Sequence, residues 1–332
     1  MKRRDFVGLA AVSAVALTGF AGTVARAADK IKIGFLVKQA EEPWFQTEWR
    51  FAEKAAQDHG FELLKIAVPD GERTLTAIDS LAANGAAGFV ICTPDVRLGP
   101  SIVAKAKAND LKLVTVDDRF VGPDGKFMED VPYVGMDAHA VGQTQGKLLL
   151  EQAKARGWNL ADTGAIVNSF EELDTAHQRT SGSIESLLAG GFPKESIYNA
   201  PNRTTDIPGS FDASNIVLTQ HHDKKHFLVI GMNDNAVLGG IRATEGAGLK
   251  PADVIGIGIN GTDVIAELEK KEVTGLYGSL LLSPNVHGYK TTMMVYDWQT
   301  KGTVPPKFTP IRDVTLITRE NFKQKLTEMG MM

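Results

Sequence analysis

Polar residues able to do chemistry gather at a few places in this chain, each at the end of a short apolar run. Lys38-Gln39-Ala40-Glu41-Glu42-Pro43-Trp44-Phe45 follows the run Ile31–Val37. Cys92-Thr93-Pro94-Asp95, Asp117-Asp118-Arg119 and Met136-Asp137 close three further runs. In the second half, Phe170 to Thr175 leads into a helical pattern carrying Arg179, while Met232-Asn233-Asp234 and Asn260-Gly261-Thr262-Asp263 end two more runs. Pooled, the inventory is carboxylates, amides, one Lys, two Arg and one Trp. That set suits a sugar. Each hydroxyl donates one hydrogen bond and accepts up to two. Carboxylate and Asn oxygens take the donated bonds, and Lys, Arg and Asn nitrogens supply the accepted ones. An indole face covers the apolar C–H side of a pyranose. Singly, these residues have plainer uses. Asp174, Asp234 and Asp263 could each cap the following helix, Trp44 could simply pack, and Arg179 could be solvated. The coincidence of polar groups at strand ends in both halves favours a pocket.

The elements that would position these groups alternate from end to end. Strands are predicted at Ile31–Val37, Phe61–Val68, Gly88–Thr93, Lys112–Asp117, Tyr133–Met136, Gly164–Asn168, Ser196–Ala200, His226–Gly231, Val254–Ile259, Thr274–Leu281 and Val314–Ile317. Helical patterns lie between them, including Pro43–His59 with Pro at its first position, Ala138–Arg156, Asp263–Lys271 and Asn285–Thr300. Such alternation predicts an α/β protein with parallel sheets and right-handed crossovers. The loop Phe120–Pro132, carrying Gly122-Pro123-Asp124-Gly125, breaks the rhythm after four units. Two doubly wound lobes are therefore expected rather than one barrel, and ligands bind such sheets outside the carboxyl ends of their strands.

The chain has 332 residues, 43% hydrophobic and 23% charged, with net charge -4 and one cysteine. These values exclude a disordered chain, a coiled coil and a disulfide scaffold, and they argue against nucleic-acid binding. The N-terminus has Lys2, Arg3 and Arg4, an apolar stretch from Val7 to Gly22, and Ala25-Arg26-Ala27. That is the pattern of a cleaved export signal over residues 1–27, and Arg3-Arg4 followed by Phe6 suggests the twin-arginine type, with Sec export as the alternative. Residues 1–27 carry four Lys/Arg and one Asp, so cleavage takes the net charge to -7.

The segments KQAEEPWFQTEW, ICTPD, VDD, ELDTAHQRT, VGMNDNAVLGG and GIGINGTD, in this order, resemble the periplasmic sugar-binding proteins of bacterial ABC importers, most closely their L-arabinose-binding members. The resemblance runs from about Ile31 to Leu326. It implies the type I periplasmic binding fold with three hinge crossovers. One lobe would comprise residues 28–137 and 284–311, the other 138–283 and 312–332. It implies that Lys38 and Glu42 bond ring hydroxyls and that Trp44 stacks on the sugar, with Cys92 near the pocket wall. Asp117 and Asp118 would take hydroxyls, Met136 would sit near C5, and Thr175 would line the site. Arg179 would donate to the ring oxygen, Met232 would pack on the ring, Asn233 and Asn260 would bond hydroxyls, and Asp263 would orient its neighbours. Leu282 stands where the family has proline, which bears on the balance between arabinose and galactose. The implied ligand is L-arabinose, with D-galactose or D-fucose as the alternative within the class. The implied partners are a membrane permease and, in some systems, a chemoreceptor. The implied state is a periplasmic monomer without metal or cofactor.

A sugar-converting enzyme is the alternative outside the class. Gly256-Ile257-Gly258-Ile259-Asn260-Gly261 matches G-x-G-x-x-G, but its first two glycines fall inside a predicted strand. Gly142-Gln143-Thr144-Gln145-Gly146-Lys147 is one residue short of a P-loop and lies in a helix. No G-x-S-x-G occurs. Asp117 and Asp118 are adjacent on a predicted strand, which would point them to opposite faces and separate them as a glycosidase pair. His221, His222 and His226 read as a solvated loop rather than a metal site.

Overall fold

The computed structural model describes residues 30–332; the export signal expected over residues 1–27 lies outside the described residues. Five short apolar runs open the chain as strands β1 (Lys32–Val37), β2 (Glu62–Ala67), β3 (Gly88–Cys92), β4 (Lys112–Val116) and β5 (Tyr133–Met136). Helices α1 (Pro43–His59), α2 (Gly71–Ala83) and α3 (Gly99–Ala108) link the first four. Apart from its half-buried first residue, β1 is buried on both faces, as is all of β3. Such continuous burial follows from helices packing on both sides of a parallel sheet.

Helix α4 (Ala138–Ala155) opens the second series: β6 (Thr163–Ser169), α5 (Asp174–Ala189), β7 (Ile197–Pro201), α6 (Ile207–Gln220) and β8 (His226–Gly231). It continues through α7 (Asp234–Gly246), β9 (Val254–Asn260), α8 (Ile265–Leu268) and β10 (Leu276–Leu281). A π-helical turn, Val286–Lys290, runs into α9 (Thr291–Lys301). The chain ends with β11 (Phe308–Ile311), β12 (Thr315–Thr318) and α10 (Phe322–Glu328).

Two six-stranded sheets result. Their orders are β11-β5-β4-β3-β1-β2 and β12-β10-β9-β8-β6-β7, the same winding used twice. Every strand pair is parallel except β10 with β12. The chain passes between the sheets at Asp137, between Leu281 and Val286, and between Ile311 and Thr315. The first and third passages run side by side: the Asp137 amide donates to Ile311 at 2.8 Å, and Arg312 Nε donates to the Asp137 carboxylate at 2.9 Å. In the second, the Leu282 amide donates to the Asn260 carbonyl at 3.1 Å. Proline has no N–H to make that bond.

Four local expectations are corrected. Strand β11 was not foreseen, because Pro310 and its mostly exposed run argue against a strand; it is an edge strand, where proline is tolerated. The helix expected over Asp263–Lys271 shrinks to the four residues of α8, since Gly261-Thr262-Asp263 is held as a loop. The helix expected over Asn285–Thr300 begins as the π-helical turn. The strand expected to reach Asp117 stops at Val116, because Asp117 takes a left-handed backbone with φ 62°.

Candidate functional site

All the polar clusters lie at carboxyl ends of strands. Lys38 follows β1, Asp117 and Asp118 follow β4, and Met136 ends β5. From the other sheet come Met232 and Asn233 after β8 and Asn260 at the end of β9, while α5, which follows β6, brings Thr175 and Arg179. Between the two sets lies a cavity of about 70 Å³. It is lined by Lys38, Glu42, Trp44, Asp117, Asp118, Met136, Arg179, Met232, Asn233 and Asn260. It adjoins a cleft of about 760 Å³ that also reaches Asp95, Arg97, Phe170 and Arg203. Gln39, Phe45, Leu173, Ala176 and Thr205 complete the small cavity and were not expected there.

Asp118 is the electrostatic centre. Its carboxylate accepts from Lys38 Nζ at 2.6 Å and from the Thr175 hydroxyl at 3.1 Å. Burial alone pushes an acid upward, but the Lys38 and Arg179 cations and these bonds hold Asp118 below its ordinary value. Asp118 is therefore an anion aimed at the cavity. The left-handed turn at Asp117 brings both neighbouring carboxylates to the cavity wall. The expectation that they face opposite ways is corrected: strand alternation has already ended at Val116. Trp44 Nε1 donates to Asp117 at 3.3 Å, and the Tyr133 hydroxyl donates to the Asp117 carbonyl at 2.8 Å. The Trp44 ring meets His287 edge-on, with centroids 4.9 Å apart.

Arg179 is buried among carbonyls. Its Nε donates to Thr175 O at 3.0 Å, and Nη1 donates to Met232 O. Its position depends on glycine. A Cβ on Gly142 of α4 would lie 2.0 Å from the Arg179 carbonyl oxygen, and one on Gly146 would lie 2.2 Å from that of Ser183. The glycines that resembled a P-loop thus serve close helix packing.

Glu42 lies at the mouth of α1 and accepts from Gln39 Nε2 at 2.8 Å. Burial, then the Asp263 carboxylate, push it up to about 7. Asn233 caps α7, its side-chain oxygen accepting from the Ala236 amide at 2.8 Å while its amide donates to Thr205 O at 3.2 Å. Asp234, read in sequence as a possible cap, is instead fully buried and accepts from Ser279 Oγ at 2.5 Å and from the Gly261 and Asp263 amides at 2.8 and 3.2 Å. It fixes the loop that presents Asn260.

Three expected residues do not line the small cavity. Thr175 acts through Asp118. Cys92 lies behind Asp118, fully buried, with Sγ 3.6 Å from its carboxylate. Asp263 stands beside Glu42 and accepts from the Thr262 hydroxyl at 2.8 Å. Two buried groups behind Asp117, Glu48 and His287, were missed in sequence. On α1, Glu48 could have been found by its place on the helix face that also carries Trp44, Phe45, Trp49 and Ala52.

Three similarities complete the comparison. Over 96% of this chain and 97% of its own length, the L-arabinose-binding periplasmic protein of Escherichia coli (strain K12) is 56% identical. The ABC transporter L-arabinose-binding periplasmic protein of Azospirillum brasilense is 43% identical over 99% of this chain and 98% of its own. A periplasmic solute-binding protein from Actinobacillus succinogenes 130z, solved with bound D-allose, shares the fold at TM-score 0.74 and 20% identity, covering 89% of this chain and all of that one. Residues 30–325 match the family described as periplasmic binding proteins and sugar binding domain of LacI family, and with the double winding and the inter-sheet site in view, the chain belongs to that family.

Proposed function

We propose that this chain is a periplasmic receptor that closes on L-arabinose between its two lobes and delivers it to the membrane permease of an ABC importer. The observation that carries the reading is the convergence of Lys38, Glu42, Trp44, Asp117, Asp118, Arg179 and Asn260 from both sheets on one cavity. The two L-arabinose-binding relatives support the choice of ligand.

The lobes are 28–137 with 284–311 and 138–283 with 312–332. Asp117 and Asp118 accept sugar hydroxyls. Lys38, Arg179 and Asn260 donate, Trp44 covers the C–H face, and Met136 and Met232 fill the apolar walls. Ionised partners make the stronger hydrogen bonds, about 1.5–3 kcal/mol each. Moving a lobe equilibrium from 1:99 to 99:1 takes about 5.5 kcal/mol of differential binding, so a few such bonds suffice. A permease that recognises the closed form then distinguishes loaded from empty receptor. The chain makes and breaks no covalent bond. It works as a monomer after export through a cleaved signal of the twin-arginine type. A Trp44 fluorescence titration with L-arabinose, using Trp44→Phe as the control, tests the site: a saturable change confined to the wild type supports it, and the same change in the variant removes Trp44 from the pocket.

A further inference from the structure

We propose that Glu48 is a positioning residue of the sugar site: as a neutral carboxylic acid it donates a hydrogen bond to the Asp117 carboxylate from behind and fixes the face that Asp117 turns to the sugar. This rests on the sugar-receptor reading.

Glu48 has no exposed surface, and neither of its side-chain oxygens receives a hydrogen bond from a donor among the described residues. A lone ionised carboxylate in such a place is among the most costly arrangements a fold can hold. Side-chain ligand atoms of Glu48, Asp117 and His287 lie within 4.8 Å of one another, each from a different element. The cluster is clamped from outside. A Cβ on Gly288 of the π-helical turn would lie 2.2 Å from the Glu48 carbonyl oxygen, so that turn rests directly on α1.

Proton counting locates the acid. His287 Nδ1 lies 2.9 Å from the Ser283 carbonyl, which can only accept, so Nδ1 carries a hydrogen. His287 Nε2 is 3.4 Å from Asp117 Oδ1 but makes no hydrogen bond to it, so the ring supplies no donor to the two carboxylates. Asp117 already accepts from Trp44, which stabilises its charge. Of the cations near the cluster, Lys38 is ion-paired with Asp118, and Arg179 faces the Asp118 and Asp117 carboxylates, so neither is paired with Glu48. A fully buried carboxylate and its part-buried neighbour cannot both ionise cheaply, and Glu48 is the one without a donor. Burial, then the Asp117 and Asp118 charges, hold it well above the usual carboxylate range, with Lys38 opposing.

The experiment pairs infrared spectroscopy with sugar titration on the full chain, Glu48→Gln and Glu48→Leu. At neutral pH the difference spectrum of the wild type minus each variant should show the carbonyl band of one protonated carboxylic acid, which separates Glu48 from the Glu42 carboxyl that is also partly protonated there. Glu48→Leu, which has no donor, should weaken L-arabinose binding about 10-fold or more, and Glu48→Gln, which donates from the same position, should rescue most of that loss. Absence of the band, or equal affinity of the two variants, overturns the proposal. If Glu48→Leu does not fold, the band and the Glu48→Gln affinity decide. A wild type that shows the band but binds no sugar overturns the receptor reading and leaves the Glu48 proton in place.

Discussion

The Thr175 hydroxyl donates to the Asp118 carboxylate at 3.1 Å, joining α5, which follows β6 of one sheet, to the loop after β4 of the other. This bond ties the wall built by α5 to the anion at the end of β4 without occupying the cavity. Thr175→Val keeps the shape and removes the donor. L-arabinose affinity should fall by about 1 kcal/mol, about fivefold in Kd. An unchanged Kd by calorimetry would remove this bond from the closed state.

Arg179 carries the only positive charge that α5 brings to the cavity, and it is buried with two carbonyl partners. Arg179→Met should cost at least about 2 kcal/mol of binding, about 30-fold in Kd, while circular dichroism shows an intact fold. Affinity equal to wild type would exclude Arg179 from the site.

Lys38 keeps Asp118 ionised. Because the folded value of Asp118 lies below its ordinary one, its contribution to stability is present above about pH 4 and is lost as the pH falls through the folded value. Lys38→Met leaves Asp118 buried without its nearest cation, raises its folded value and reverses that sign. Urea unfolding should show a loss of about 3 kcal/mol at neutral pH and a smaller loss in acid. Equal losses at both pH values would contradict the pairing.

Glu42 behaves oppositely. Its folded value of about 7 lies above its ordinary 4.5, so the fold holds a proton that the unfolded chain releases. Stability from this group is full below about pH 4.5 and is lost as the pH rises through 7, by up to about 3 kcal/mol. Glu42→Gln abolishes that dependence. Unfolding at about pH 5 and about pH 8 should show the variant gaining on the wild type at the higher pH; a constant difference would contradict the raised value.

Cys92 is fully buried, and burial raises its thiol well above the ordinary range. A thiol reagent should leave the native protein unmodified and react with one equivalent after denaturation. Rapid reaction of the native form would mean that the layer behind Asp118 opens.

The winding was legible from the alternation of runs such as Ile31–Val37 and Pro43–His59, and so were the clusters after each strand. Three features were not. Strand β11 hides behind Pro310, whose missing N–H is harmless only because the strand is an edge. The facing of Asp117 depends on one left-handed residue, which strand periodicity does not register. His287 reads as an ordinary polar residue of a helical segment, and Glu48, though it falls on the apolar face of α1, meets the back of Asp117 only through packing.

Titration calorimetry of the mature protein with L-arabinose, D-galactose, D-ribose and D-glucose tests the central claim most directly. The account predicts one L-arabinose per chain with a Kd of about 1 μM or tighter, corresponding to about -8 kcal/mol, with the other sugars ranked behind it. No binding by any of the four sugars, or a covalently altered sugar recovered afterwards, would contradict it.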